Sequence, residues 1–295
     1  MLPTINGVSP SRLCLPPGPW RTLLDYLAFK LPAVSRDSWT ERMQAGEVLN
    51  ASGERLPPDA PYPARETVFY YRRIDHEPPI PFEEAILFQD DFLVVADKPH
   101  FLPVVPSGRY VQETLLVRLK RKLGIDTLVP MHRIDRDTAG VVVFTVQPAT
   151  RATYQALFRD RLVDKTYEAI APWSPRLATR LTYRSRLAES ARFMAMQEVE
   201  GEPNSETTIE LIERHGELAR YRLHPTTGQK HQLRAHMNAL GIPIRHDLIY
   251  PELQPDGIPD YTRPLQLLAR ELSFTDPYSG QRRHFISERQ LASPS

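Results

Sequence analysis

Residues 131–140, MHRIDRDTAG, run straight into 141–146, VVVFTV, and this junction constrains the fold more than any other part of the chain. A polar, arginine-rich stretch that leads into a β-branched run presents its functional groups at the edge of a sheet. Groups held there by a rigid strand carry chemistry more often than core residues do. Asp135 stands between Arg133 and Arg136, with His132 just upstream and a second carboxylate at Asp137. Two arginines in one loop are expected to keep the Asp135 carboxyl ionised at neutral pH. Such a carboxylate can act as a nucleophile or stabilise an oxocarbenium-like centre. A loop salt bridge explains the same residues equally well.

The rest of the chain predicts a sheet for this strand to join. ILFQDDFLVVADKP reads as a hairpin turning at Asp90 and Asp91. Strands are expected at 165–171, 193–199, 207–215 and 218–223, with a final one at 265–274. Lys165, Tyr167 and Ala169 then share one face of theirs. Helices are expected at 114–123, from Pro148 to about Leu162, and at 231–240. With 29 prolines against 13 glycines a wholly helical build is disfavoured. The pattern is an α+β fold with a mixed sheet and a few helices. Before it, residues 1–18 read as an extended arm and 19–73 as a small α/β module. A proline-rich linker over 74–83 separates that module from a domain over 84–295.

A second polar constellation lies at 225–237, PTTGQKHQLRAHM. Thr226, Thr227 and Gly228 make a turn, and the helix behind them carries Lys230, His231, Gln232, Arg234 and His236. A helix start beside cations can receive a phosphate. Arg234 could instead grip the Asp135 carboxylate, since a guanidinium binds one through two parallel bonds. Tyr167 reads as core unless its face also bears Asp135, where its ring could stack on a base. Metal and nucleotide chemistry are not expected. His231 and His236 are five apart, no cysteine pair accompanies the lone Cys14, and neither a Walker loop nor GxGxxG is present. A net charge of +1 confines any polyanion grip to local patches. No signal-like segment or apolar run of about 20 residues occurs, so a soluble cytoplasmic protein is expected.

HRIDRDTAG resembles the HRLDxxTSG signature of the RluA-type RNA pseudouridine synthases. ILFQDDFLVVADKPHFLPV is similar to that family's opening hairpin, TTGQKHQLRAHMNALGIPI to its late helix motif, and LQLLARELSFTDP to its closing strand. The four motifs occur in the family's order over 84–277. The N-terminal helices with GEVLNASG are similar to the small ribosomal-protein-type RNA-binding module found in many members. Three positions depart from the family pattern: Gln229 stands for a cation, Leu268 for a histidine and His246 for a glycine.

The resemblance implies the pseudouridine-synthase fold, a mixed, mainly antiparallel sheet with flanking helices. It implies conversion of uridine to pseudouridine in tRNA or rRNA stem-loops by a monomer, without cofactor, metal, DNA or membrane. Asp135 matches the essential aspartate, Tyr167 the tyrosine that stacks on the target base, and Arg234 the carboxylate's arginine partner. Arg133 is expected against the RNA where the uridine leaves the stack, with His132, Lys230, Gln229 and Thr227 as further RNA contacts. The alternative is a non-catalytic RNA-binding or assembly protein on the same scaffold.

Overall fold

The computed structural model describes residues 2–292, apart from 75, 178–179, 192–193, 256 and 258. The chain packs as two compact units. One holds residues 1–77, 107–112 and 117–126, and the other holds 78–106, 113–116 and 127–295. Residues 107–112 and 117–126 thus group with the first unit, although the sequence assigned them to the second domain.

The first unit contains β1 (Ser11–Cys14), α1 (Leu23–Lys30), α2 (Arg36–Gln44), β2 (Val48–Leu49) and β3 (Thr67–Tyr70). Thr22 caps α1 through a capping box with Asp25, and Ser35 caps α2, its side chain accepting from Ser38 N–H. Their apolar faces bury Leu23, Leu27, Trp39 and Met43 against Val48 and Val68 of the sheet. Part of the stretch read as an extended arm is a strand. Residues 11–14 alternate in exposure, pair antiparallel with β3, and lead to Leu15 in this core.

The chain continues through β4 (Ala85–Gln89), β5 (Leu93–Lys98), α3 (Leu115–Leu123), β6 (Val129–Pro130), β7 (Ala139–Thr145), α4 (Arg151–Arg159) and β8 (Asp164–Pro172). Then come β9 (Leu181–Glu189), β10 (Met196–Val199), β11 (Ser205–His215), β12 (Leu218–Pro225), α5 (Gln232–Ala239), β13 (Leu267–Thr275) and β14 (Arg282–Ile286). Strands β4 to β14 form an 11-stranded sheet in the order β10-β9-β11-β12-β8-β13-β7-β5-β4, with β14 on β13 and β6 on β7. All of these pairs are antiparallel except β13 with β7.

The differences from the sequence reading have local causes. Strand β9, LTYRSRLAE, was not expected, because its alternation sets arginines and threonine against only a few apolar residues. The expected final strand, β13, is followed by β14, whose RRHFI buries only Phe285. The helix expected from Pro148 begins as a 3-10 turn and ends at Arg159. Of the strand expected at 193–199, 196–199 are observed and 193 lies outside the described residues. Among the described residues no helix is long and apolar enough to cross a membrane.

Strand β7 is buried along its whole length, with Val141 and Val143 packed on Leu93, Val95, Tyr154 and Phe274. Its parallel start beside β13 depends on Gly140, which has φ +115°. A Cβ there would lie 2.2 Å from the Ala269 carbonyl oxygen, so only glycine lets the two backbones meet. That approach fixes the preceding loop at the middle of the sheet. On its other side β13 pairs with β8, placing Tyr167 opposite Ala269. Helix α5 packs Leu233 and Met237 on Ala169, Tyr221 and Leu267. Loop, strand and helix therefore converge.

Candidate active site

The loop before β7 is built as a turn. The Thr138 N–H donates to the Asp135 carbonyl at 3.2 Å, and Met131 N–H donates to Val143 O at 2.9 Å. Lys98, at the end of β5, is fully buried and donates to the carbonyls of Pro99, Leu102 and Arg136 at 2.7–2.9 Å. Its three N–H groups thus tie the loop backbone to the opening hairpin. Burial pushes the ammonium down to about 7, against the pull of the nearby Asp137 and Asp135 carboxylates. Sequence reading passed over Lys98. The signal available was a lysine closing an otherwise apolar strand, LVVADK.

Asp135 is the accessible end of an ion-pair relay. Arg234, only 2% exposed on α5, donates Nη1 to Asp135 Oδ2 at 3.0 Å. Its other edge grips Asp247 through two parallel bonds, Nε to Oδ2 at 2.7 Å and Nη2 to Oδ1 at 2.6 Å. Asp247 is held in turn by the N–H groups of Ile249 and Tyr250. The Asp247 side chain is fully covered, whereas that of Asp135 keeps 27% of its surface. One arginine therefore serves a structural carboxylate and a reachable one.

Burial alone would raise the Asp135 pKa, but Arg234, with His231 and Lys98, holds the carboxyl below its usual value. The expected direction is right and its source is different. The cations come from α5 and β5 rather than from Arg133 and Arg136. Arg136 pairs with its neighbour Asp137 at 2.9 Å, and Arg133 is exposed. His231 stands in a left-handed conformation at the start of α5, with Nε2 3.9 Å from Asp135 Oδ1 and Nδ1 3.4 Å from the Tyr250 hydroxyl.

Tyr167 lies close enough to Asp135 for the carboxylate to add to the effect of burial in raising its phenol pKa. Tyr167 thus lies near Asp135, the condition under which it stops reading as plain core. The phenol is neutral at physiological pH, and the residue as a whole is half-buried.

The remaining expected residues divide. Lys230 and Gln229 are exposed before α5. Thr227 is buried, and its hydroxyl accepts from Glu206 N–H and donates to Gln232 Oε1 at 2.6 Å. His132, expected among the RNA contacts, has its ring turned to the scaffold. It stacks on Phe158 at 4.5 Å, and its Nε2 accepts from Val143 N–H at 3.3 Å. Burial and Lys165 push it down to about 3, so it stays neutral and supports the loop. Asp247 escaped sequence reading. It could have been sought as the second carboxylate required once Arg234 falls on the buried face of α5. Among the described residues no three His, Cys, Asp or Glu side chains gather as a metal-binding group.

The site thus sets a partly exposed, arginine-held aspartate near a tyrosine on a mixed sheet, and comparison with known proteins gives the family. Residues 92–239 match the RNA pseudouridylate synthase family, and the chain belongs to it. The dual-specificity RNA pseudouridine synthase RluA of Haemophilus influenzae is 30% identical over 70% of this chain and 94% of its own length. Human pseudouridylate synthase RPUSD2 is 32% identical over 59% of this chain, and the match spans 32% of that longer protein. The solved structure of human RNA pseudouridylate synthase domain containing 4 superposes with a TM-score of 0.55 at 26% identity, covering 70% of this chain and 88% of that one.

Proposed function

We propose that this chain isomerises particular uridines to pseudouridine in structured tRNA or rRNA, with Asp135 as the essential carboxylate and no cofactor. The observation that carries the reading is the Arg234–Asp135 pair at 3.0 Å, with Asp135 left accessible beside Tyr167. An RNA-binding scaffold has no need of an exposed carboxylate held ionised, because a carboxylate repels phosphates.

The chemistry follows from those residues. A stacked uridine is out of reach, so it is extruded at a cost of a few kcal/mol. Stacking on Tyr167 offsets about 1–3 kcal/mol of that cost. In this reading Arg133, which is exposed, meets the RNA where the base leaves the helix, with Lys230 and Gln229 as further contacts before α5. Breaking the C1′–N1 bond leaves the electron pair on the uracil and positive character at C1′. The Asp135 carboxylate, fixed by Arg234, stabilises that centre or adds to it. The uracil turns while held on Tyr167, C5 bonds to C1′, and the C5 proton is lost while N1 gains one. No atom is gained or lost overall, so the isomerisation needs no redox partner. The reading includes a monomeric cytoplasmic enzyme.

The test is tritium release from RNA labelled at uridine C5, together with pseudouridine mapping in cells with and without the gene. Wild-type release and one or a few lost sites are expected. Release unchanged in Asp135→Ala, or no release from any cellular RNA, would contradict the proposal.

A further inference from the structure

A cleft of about 480 Å³ lies away from Asp135, lined by Arg161, Arg184, Asn204, Glu206, Thr226 and Thr227. It opens where β8 begins, β12 ends and β11 starts. Lys165 connects it to the active site. On β8 this residue shares a face with Tyr167, two positions on, and its Nζ donates to the Thr227 carbonyl at 2.9 Å. The charge of Lys165 also reaches His132, at the start of the loop that carries Asp135.

The charges in the cleft are unbalanced. Glu206 is the one carboxylate in the lining among the described residues. It pairs with Arg184, accepts from the Thr226 hydroxyl and also feels the charge of Arg161. One carboxylate thus faces the charges of Arg184, Arg161 and the nearby Lys165. Among the described residues, neither the Arg161 guanidinium nor the Lys165 ammonium forms an ion pair with a carboxylate. Burial and the like charge of Arg161 push Lys165 down to about 8. A bound anion would relieve both cations.

Arg161 is also held in a conformation its side chain does not favour. The end of α4 is a Schellman motif. Leu162 N–H donates to Leu157 O at 2.8 Å, and Arg161 N–H donates to Phe158 O at 3.2 Å. Arg161 occupies the left-handed position of that motif with φ +58°, where glycine is the favoured residue. A non-glycine residue there opposes stability, and such strain gathers at functional positions.

We propose that this cleft is a second RNA subsite, in which Arg161, with Arg184 and the nearby charge of Lys165, receives a backbone phosphate of the single-stranded nucleotides flanking the extruded uridine. The subsite rests on the RNA-modifying reading above. It would hold the flank in register while the target base is on Tyr167, and so help decide which uridines are modified.

The experiment compares Arg161→Gly with wild type on C5-tritiated total RNA from cells lacking the gene. It measures kcat, KM, thermal midpoint and the salt dependence of equilibrium binding to the same RNA. Arg161→Gly should raise KM about three- to tenfold, keep kcat within about twofold and flatten the log–log salt slope by roughly one. Its thermal midpoint should be equal or higher, because glycine suits the left-handed position. Arg159→Gln is the charge-matched control. It removes a neighbouring cation paired with Asp160 and should leave KM and slope unchanged. A wild-type KM and slope in Arg161→Gly, or equal changes in both variants, would overturn the subsite. Absence of tritium release by wild type would instead overturn the enzymatic reading, and the binding slopes would still decide the subsite.

Discussion

Two arginine clusters lie on opposite faces of β8, and they use the same chemistry to different ends. On the Tyr167 face, Arg234 grips Asp247 with two bonds and offers its remaining edge to Asp135. On the Glu168 face, Arg270 binds Glu168 with Nε at 3.1 Å and Nη2 at 3.3 Å. Its remaining donor goes to the carbonyls of Ser287 and Arg289 at 2.8 and 2.7 Å. Arg220 also reaches Glu168, at 3.3 Å. Both arginines are buried and both hold a carboxylate bidentately. The difference is what the third edge meets. Arg270 meets backbone and locks the C-terminal segment, whereas Arg234 meets a carboxylate that keeps contact with solvent. Of the two, Arg234 is the one whose further carboxylate partner stays reachable.

Substitution at the two arginines should separate these ends. Arg234→Gln leaves Asp247 buried without its partner and Asp135 without its clamp. Stability should fall by about 3–5 kcal/mol, and kcat of the folded fraction should fall by about 10²–10³. Denaturant titration and single-turnover kinetics check the two effects separately. Arg270→Gln should lower stability by a similar amount, roughly 3 kcal/mol, with kcat of the folded protein within about threefold of wild type. A catalytic collapse in Arg270→Gln would erase the distinction between the faces.

A smaller effect tests the base platform. Tyr167→Leu keeps an apolar side chain on β8 but removes the π-face, so kcat/KM should fall about 5- to 150-fold, equivalent to roughly 1–3 kcal/mol of stacking. A wild-type value would remove Tyr167 from the mechanism. The smallest expected signal is in pH. Because the folded-state pKa of Asp135 is depressed, its carboxylate is present through the neutral range and lost only as pH falls through that lowered value. The acid limb of single-turnover kcat/KM should therefore lie below about pH 4, the usual carboxylate range. A limb near pH 6 would contradict the ionised form.

Much of this was legible in the sequence because the informative features are local. HRIDRDTAG marks both the loop and the strand it enters. The helical spacing of TTGQKHQLRAHM placed Arg234, and period-2 alternation set Tyr167 on one face of β8. His246, noted where glycine is usual, has φ +63°, so the backbone there takes the form that glycine favours. Lys98 and Asp247 were missed for a shared physical reason. Each acts through partners that are distant in sequence or buried, and a lone charge next to apolar residues does not name its partner. The assignment of 107–112 and 117–126 to the first unit was equally hidden, since it depends on long-range packing. So was the inward turn of His132, whose stacking partner Phe158 lies on another helix.

The central claim is that Asp135 is the reacting carboxylate and that Arg234 serves it. Asp135→Asn preserves side-chain size and the oxygen facing Arg234, and removes only the charge. Tritium release from C5-labelled RNA by this variant, at RNA concentrations shown by equilibrium binding to saturate it, is the most direct test. The prediction is wild-type RNA affinity with release reduced by at least about 10³-fold. Release within about tenfold of wild type at saturation would show that the charge on Asp135 is not what drives the reaction.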